Sequence, residues 1–222
     1  MLPELSAVLA GESQGCILCA DCRDVLPTLP DGGIVVVSDP PYGIAYKKGV
    51  GGRGCHSKGH RNIEAVRGDD EPFDPSPLAR WPCVLFGADH YCNRLPDGGM
   101  FHVWDKECNR AGRDSFSDAE LFWTSWTQKR EVFRYLWKGL RQEGRGEKRH
   151  HPTAKPVRLM MWCIDLVRSE SAVILDPFCG SGTTCVAAKQ LGRRYIGIEI
   201  DEKYAAIARE RVRNTTPPLF GM

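Results

Sequence analysis

The sequence predicts an α/β protein, a mostly parallel twisted sheet with helices on both faces. Three observations carry this. Residues 173–213 run strand, Gly-rich turn, helix, strand, helix, which is a βαβα unit. The longest apolar run, Ile34-Val35-Val36-Val37, is strand-sized and has no polar face, as expected of a strand covered on both sides. The 222 residues, 42% hydrophobic and 26% charged, suit one globular domain with small insertions, since ~150 residues make a typical domain.

The elements follow in order. Gly15 to Ala20 reads as a strand, Arg23 to Leu29 as a short amphipathic segment, and Ile34 to Ser38 as the buried strand. Lys47 to Arg67 is a Gly-rich basic loop. Val84 to Phe86 and Met100 to Trp104 are short strands flanking the turn Pro96-Asp97-Gly98-Gly99. Leu121 to Trp126 and Val132 to Trp137 read as two aromatic-rich strands, and Gly139 to Lys148 as a polar loop. Val157 to Arg168 has helical periodicity behind Pro156, a residue suited to a first turn. Val173 to Leu175 is a strand, Thr183 to Leu191 a helix, Tyr195 to Ile198 a strand and Glu202 to Arg213 a helix.

No apolar run approaches the ~20 residues of a membrane span. The first residues, MLPELSAVLAGES, lack a basic region and a long apolar stretch, so a signal peptide is not expected and the location expected is cytoplasmic. The 10 cysteines are expected as free thiols in a reducing compartment. Cys16, Cys19 and Cys22, with Cys55, His56 and His60 downstream, form the one suggestive metal cluster. A zinc site usually shows two separated ligand pairs, and strand alternation accounts for two of these thiols as buried, so no metal is expected.

The net charge is only +2, but it is unevenly spread. Gly43 to Gly68 holds six Lys/Arg against one acid, and Gln128 to Lys155 nine against three. These stretches read either as solvated faces or as a phosphate-contacting surface.

Two motifs carry chemistry. Asp176-Pro177-Phe178-Cys179-Gly180-Ser181-Gly182-Thr183-Thr184 follows a strand and opens a helix, whose free N–H groups and glycines admit a ligand. It is neither a dinucleotide fingerprint nor a Walker loop. Glu199 ends the next strand, where an acid commonly takes ribose hydroxyls, and Asp176 at its strand tip suits a cationic amine. The second motif, Ser38-Asp39-Pro40-Pro41-Tyr42, also follows a buried strand. Its prolines fix the backbone and remove two N–H donors, leaving carbonyls and the Asp39 carboxylate as acceptors for an amine, beside the flat face of Tyr42.

Together these residues resemble the DNA amino-methyltransferases, which use S-adenosyl-L-methionine. Asp39-Pro40-Pro41-Tyr42 resembles their catalytic tetrapeptide and Asp176 to Thr184 their cofactor loop. His151-Pro152-Thr153-Ala154-Lys155-Pro156 resembles the segment before that loop in the beta class, where the catalytic half precedes the cofactor half. The resemblance covers roughly Gly15 to Arg213, and small phage- or prophage-type members match best. It implies a single three-layer Rossmann-like methyltransferase domain over 1–222 in circularly permuted order. Residues 43–72 would be a DNA-contacting insertion, 105–150 a target-recognition region and 151–214 the cofactor half.

The roles implied are specific. Asp176 would bind the methionine ammonium, Glu199 the ribose, Phe178 the cofactor's flank and Asp21 the surroundings of the adenine. Gly180 and Gly182 would allow close approach, with Thr183 beside them; Thr153 and Lys155 would touch the methionine carboxylate. Cys179 reads as packing. Asp39 and the carbonyl of Pro40, held by Pro41, would accept the N–H bonds of a flipped base's amine, and Tyr42 would stack on its ring, a role any aromatic there would fill. Lys47, Lys48, Arg53, Lys58, Arg61, Arg67, Lys129, Arg130, Arg145, Lys148 and Arg149 would contact duplex DNA, with Gly49 to Gly59 mobile in its absence. The tetrapeptide's leading Asp leans towards adenine N6, with cytosine N4 as the alternative. RNA methylation and a non-catalytic DNA-binding role are the further readings. A homodimer, a place in restriction-modification and no nuclease on this chain are also implied.

Overall fold

The structure, a computed structural model, describes residues 2–44, 68–108, 117–127, 129–138, 141–143 and 154–217. Its first half carries α1 (Pro3–Ala10), β1 (Gly15–Cys19), α2 (Cys22–Val25), β2 (Ile34–Ser38), β3 (Cys83–Phe86) and β4 (Met100–Asp105). Then come β5 (Ala119–Thr124), β6 (Val132–Arg134), β7 (Trp137–Lys138), β8 (Arg141–Gln142), α3 (Val157–Asp165), β9 (Val173–Asp176), α4 (Thr183–Gln190), β10 (Tyr195–Glu199) and α5 (Glu202–Arg213).

Eight strands form one sheet in the order β1-β10-β9-β2-β3-β5-β4-β6, and β7 pairs with β8 apart from it. The first five in that order are parallel neighbours, β5 runs antiparallel to both β3 and β4, and β6 is parallel to β4. The expected α/β class with a mostly parallel sheet is the fold observed. Strand alternation sends side chains to two cores. Ile34, Val36, Leu85, Val173 and Leu175 pack with Leu5 and Val8 of α1 on one face. Val35, Val37, Val84 and Ile174 pack with Leu159 and Ile164 of α3, Ala187 of α4 and Ala208 of α5 on the other. β2 feeds both cores, which is why all five of its residues are buried.

Several expectations are corrected. Helix α1 was not read from the sequence, although Pro3 stands at its start and Gly11, at φ +81°, closes it. Val132 to Trp137 is two elements, β6 and β7, because the buried Tyr135 and Leu136 lie between them. Cys16 is half-buried and Cys19 exposed; β1 buries Ile17 and Leu18 instead, one into each core. Among the described residues no cluster of His, Cys, Asp and Glu could hold a metal ion, and Cys55, His56 and His60 lie outside them. No helix among the described residues is long and apolar enough to cross a membrane. The described part of 105–150 includes two strands of the central sheet, and Phe122 and Trp123 are buried core, so these aromatics offer no free surface.

Candidate active site

Because β1, β10, β9 and β2 are parallel neighbours, their C-terminal ends share one edge of the sheet. Each bears an acid: Asp21 just past β1, Glu199 on β10, Asp176 on β9 and Asp39 just past β2. From β2 the chain steps to β3, whereas from β9 it steps the other way to β10, so the sheet reverses between β9 and β2. Ligands of open α/β sheets lie outside the strand ends at such a point. A cavity of about 1680 Å³ lies there, and Asp21, Asp39, Tyr42, Asp176, Phe178 and Glu199 all line it.

On the β2 side, the Tyr42 hydroxyl donates to Asp39 Oδ1 at 2.5 Å and Lys155 Nζ to Asp39 Oδ2 at 2.7 Å. Burial, with Asp39 beside it, pushes the Tyr42 phenol well above its ordinary value. The hydroxyl thus has a partner in Asp39, a contact additional to the stacking face expected at position 42. The Tyr42 ring stacks on His90, with centroids 5.2 Å apart, and a side chain at Gly87 would collide with it. Asp69, which the sequence did not single out, accepts from the backbone N–H groups of Tyr42, Gly43 and Ile44 at 3.0, 2.9 and 3.3 Å. It clamps the turn beyond the Pro-Pro pair. Pro40 and Pro41 line the cavity beside Asp39.

Lys155, expected beside the methionine carboxylate, lines the cavity with its ammonium between Asp39 and Glu120, 3.2 Å from Glu120 Oε2. Glu120 Oε1 accepts in turn from Lys106 Nζ at 2.8 Å. Burial would raise the Glu120 carboxyl, yet Lys155 and Lys106 hold it at about 2. Burial would likewise lower the Lys155 ammonium, but Asp39 and Glu120 raise it above its ordinary value. Trp137 fixes this segment by donating its indole N–H to the Ala154 carbonyl at 3.0 Å.

On the β9 side, Asp176 is 3% exposed. Its Oδ1 accepts from Ser38 Oγ at 2.6 Å and from the Phe178 N–H at 3.2 Å. Burial pushes its carboxyl up to about 6, against hydrogen bonds from Ser38, Thr184 and Phe178. Glu199 accepts from the Gly180 and Asp201 N–H groups, each at 2.8 Å, tying the loop to β10; burial raises its carboxyl. Phe178 meets Phe73 edge-on at 5.6 Å along the cavity wall. The Thr183 hydroxyl accepts from Arg211 at 3.2 Å, and Arg211 also holds the Ser181 carbonyl at 2.6 Å. Asp21 lines the cavity, but its carboxylate caps α2 through the Arg23 N–H at 2.9 Å and pairs with the Arg23 guanidinium, which holds it below the usual range. Cys179 is buried in the core, as expected of a packing residue.

Gly182, expected to allow close approach of the cofactor, instead makes room for α5. A Cβ there would lie 2.8 Å from Ala208 Cβ, at φ +80°. At Gly180, φ +51°, a Cβ would meet open space. Gly182→Ala should therefore cost about 2 kcal/mol in strain and overpacking. Thermal unfolding should show a Tm lower by about 5 °C, against a smaller drop for Gly180→Ala. Equal Tm losses would contradict this packing.

Lys129 and Arg130 are exposed but lie in the β5–β6 connection. β5 leaves the cavity edge at Ala119 and ends at Thr124, opposite Met100 where β4 begins, so this connection starts at the far edge of the sheet. Neither residue shares the cavity face, contrary to expectation. Lys47, Lys48, Arg53, Lys58, Arg61, Arg67, Arg145, Lys148, Arg149 and Thr153 lie outside the described residues, as does Gly49 to Gly59. The residues missed, Asp69, His90, Lys106 and Glu120, belong to no local motif. Only Glu120, an acid directly before the aromatic-rich run Leu121 to Trp126, could have drawn attention.

Comparisons with known proteins bear on the family and the fold. A family model described as DNA methylase matches residues 100–210. The type II methyltransferase M2.DpnII of Streptococcus pneumoniae is 53% identical over 62 residues, 28% of this chain and 23% of that protein. The stretches matched in the first curated relatives are 20% to 28% of those proteins' length. The crystal structure of an M1.HpyAVI-SAM complex superposes with a TM-score of 0.54 at 21% identity, over 89% of this chain and 98% of that one. PvuII DNA methyltransferase, cytosine-N4-specific, gives 0.56 at 16% identity, over 90% and 86%. At these identities the likeness is one of fold.

Proposed function

The chain belongs to the N6/N4 family of DNA methylases, and from that membership we propose that it transfers a methyl group from S-adenosylmethionine to an exocyclic amine of duplex DNA, adenine N6 first. One observation carries the reading. The Asp39-to-Tyr42 turn and the Asp176 loop end adjacent strands, are joined by the 2.6 Å Ser38–Asp176 hydrogen bond, and open on the same cavity. The residues present fit the cofactor. Asp176 is a buried carboxylate whose hydrogen bonds come from Ser38, Thr184 and a backbone N–H, all neutral, so a cationic amine suits it. Glu199 and Phe178 line the same wall for a ribose and an apolar flank.

When bound, the cofactor supplies a sulfonium-activated methyl group. Asp39 and the Pro40 carbonyl accept the N–H bonds of the target amine and favour its pyramidal form. Tyr42 borders the flipped ring. Fixing both partners on two adjacent strand ends makes the encounter effectively unimolecular, a source of much of the acceleration. Preference for adenine rests on Asp39 as the leading residue of the tetrapeptide. The test is transfer of labelled methyl from S-adenosylmethionine to duplex DNA, followed by digestion to nucleosides. N6-methyladenine is expected. N4-methylcytosine would overturn the base assignment, and no labelled nucleoside would overturn the reaction.

A further inference from the structure

We infer that Lys155 is a positioning residue for Asp39, held in place by Glu120 and Lys106, and not a contact to the cofactor; the inference rests on the methyltransferase reading above. The four side chains come from separate parts of the fold: the tip of β2, the segment before α3, β5 and the end of β4. Their charges alternate along the chain of contacts. Lys155 Nζ lies 2.7 Å from Asp39 Oδ2, Glu120 Oε2 lies 3.2 Å from Lys155 Nζ, and Lys106 Nζ lies 2.8 Å from Glu120 Oε1.

The contacts of Lys155 support the assignment. Its ammonium donates to Asp39 Oδ2 at 2.7 Å and to the Tyr42 hydroxyl at 3.2 Å, and Glu120 Oε2 lies 3.2 Å away as an ion-pair partner. Its charge is thus matched by two carboxylates of this chain. The lysine is 8% exposed, and its ammonium lies 5.3 Å from the centre of the Phe86 ring, so an unpaired charge there would be costly. Glu120 removes that difficulty, and Lys106 does the same for Glu120. Asp39 gains a fixed orientation. An ionised carboxylate has about four lone-pair sites. Tyr42 takes one on Oδ1 and Lys155 one on Oδ2, which leaves Asp39 an acceptor for one N–H of the amine, the Pro40 carbonyl taking the other. The network is thus what distinguishes a fixed acceptor from a carboxylate free to rotate.

The experiment uses the full chain with Lys155→Met, Lys155→Arg and Glu120→Gln. Single-turnover methyl transfer to duplex DNA, cofactor Kd by calorimetry and thermal unfolding are measured for each. Lys155→Met should slow transfer by roughly 100-fold, the loss expected when a reacting group is displaced by about 1 Å. Its cofactor Kd should stay within about threefold of wild type, well inside the shift that loss of a charge-assisted contact would give. Lys155→Arg should recover part of the rate, and Glu120→Gln should lose less than Lys155→Met. If Lys155→Met fails to fold, the Arg and Gln variants carry the same comparison. A raised Kd with an unchanged transfer rate, or no change in either, would overturn the inference. If the wild-type chain transfers no methyl group, the methyltransferase reading falls by itself. The positioning contact is then read from the Lys155 ¹⁵Nζ resonance, which should be protected from solvent exchange and shift in Asp39→Asn. An unshifted resonance would overturn the contact.

Discussion

Asp39→Ala is expected to slow methyl transfer by a few hundredfold or more while cofactor affinity changes little. Loss of one charge-assisted group at the reacting centre costs about 3–4 kcal/mol in the transition state. Its contacts are with Tyr42 and Lys155, on the β2 side of the cavity, whereas the cofactor loop is held by Ser38, Glu199 and Arg211. The loss should therefore fall on kcat and not on KM for the cofactor. Truncation to Ala also leaves the Lys155 ammonium with Glu120 as its remaining carboxylate, so some stability is lost as well. Asp39→Asn separates the two effects, because the amide keeps the shape and one acceptor while removing the charge. Both variants should be slow, and the Asn form should unfold closer to the wild-type temperature. The measurement is transfer of labelled methyl to duplex DNA with cofactor Kd in parallel. Transfer near the wild-type rate by Asp39→Ala would place the active site elsewhere.

What the sequence revealed and what it hid follow from the range of the interactions. β2, β9 and β10 are short apolar runs punctuated by Asp, Pro and Gly, so their tips could be read one residue at a time, and the three acids named for those tips, Asp39, Asp176 and Glu199, line the cavity. The partners of those tips could not. Asp69 reaches backbone groups 25 to 27 positions away, and Lys155 reaches Asp39 across 116. No periodicity marks such a pair. Lys155 was assigned to the cofactor from its place in a motif, while its burial between two carboxylates is a property of the fold. Aromatics within the expected recognition region, 105–150, are opaque in the sequence for a related reason. β5 is covered on both faces, so Phe122 and Trp123 enter opposite cores and leave no polar alternation to separate core from surface. Gly182 was read as a ligand glycine because sequence cannot tell whether a missing Cβ makes room for a ligand or for Ala208.

Asp176→Asn should weaken cofactor binding by roughly two orders of magnitude, as about 3 kcal/mol is a typical loss when one partner of a buried charge pair is removed. The amide is isosteric, and its oxygen can still accept from Ser38 Oγ and the Phe178 N–H, so the loop should keep its shape. The same substitution should stabilise the ligand-free protein near neutral pH. Burial holds the Asp176 carboxyl at about 6, above its ordinary 3.8, with neighbouring Asp39 adding to the rise. The folded state therefore binds this proton more tightly than the unfolded chain. The associated stability is fully present below about 4 and is lost as pH rises through about 6. Above that range the ionised carboxylate is a buried charge awaiting a cation, and Asn removes it. Cofactor binding runs the other way, because an ammonium needs the ionised form. Wild-type affinity should thus fall as pH drops below about 6, approaching tenfold per pH unit. Asp176→Asn should lose most of that dependence, keeping only what Glu199, also raised by burial, contributes. Calorimetric titration of S-adenosylmethionine from pH 5 to 8, with unfolding curves at each pH, reads both effects. A variant with wild-type affinity, or one whose binding keeps the full wild-type pH dependence, would remove Asp176 from the role of ammonium partner.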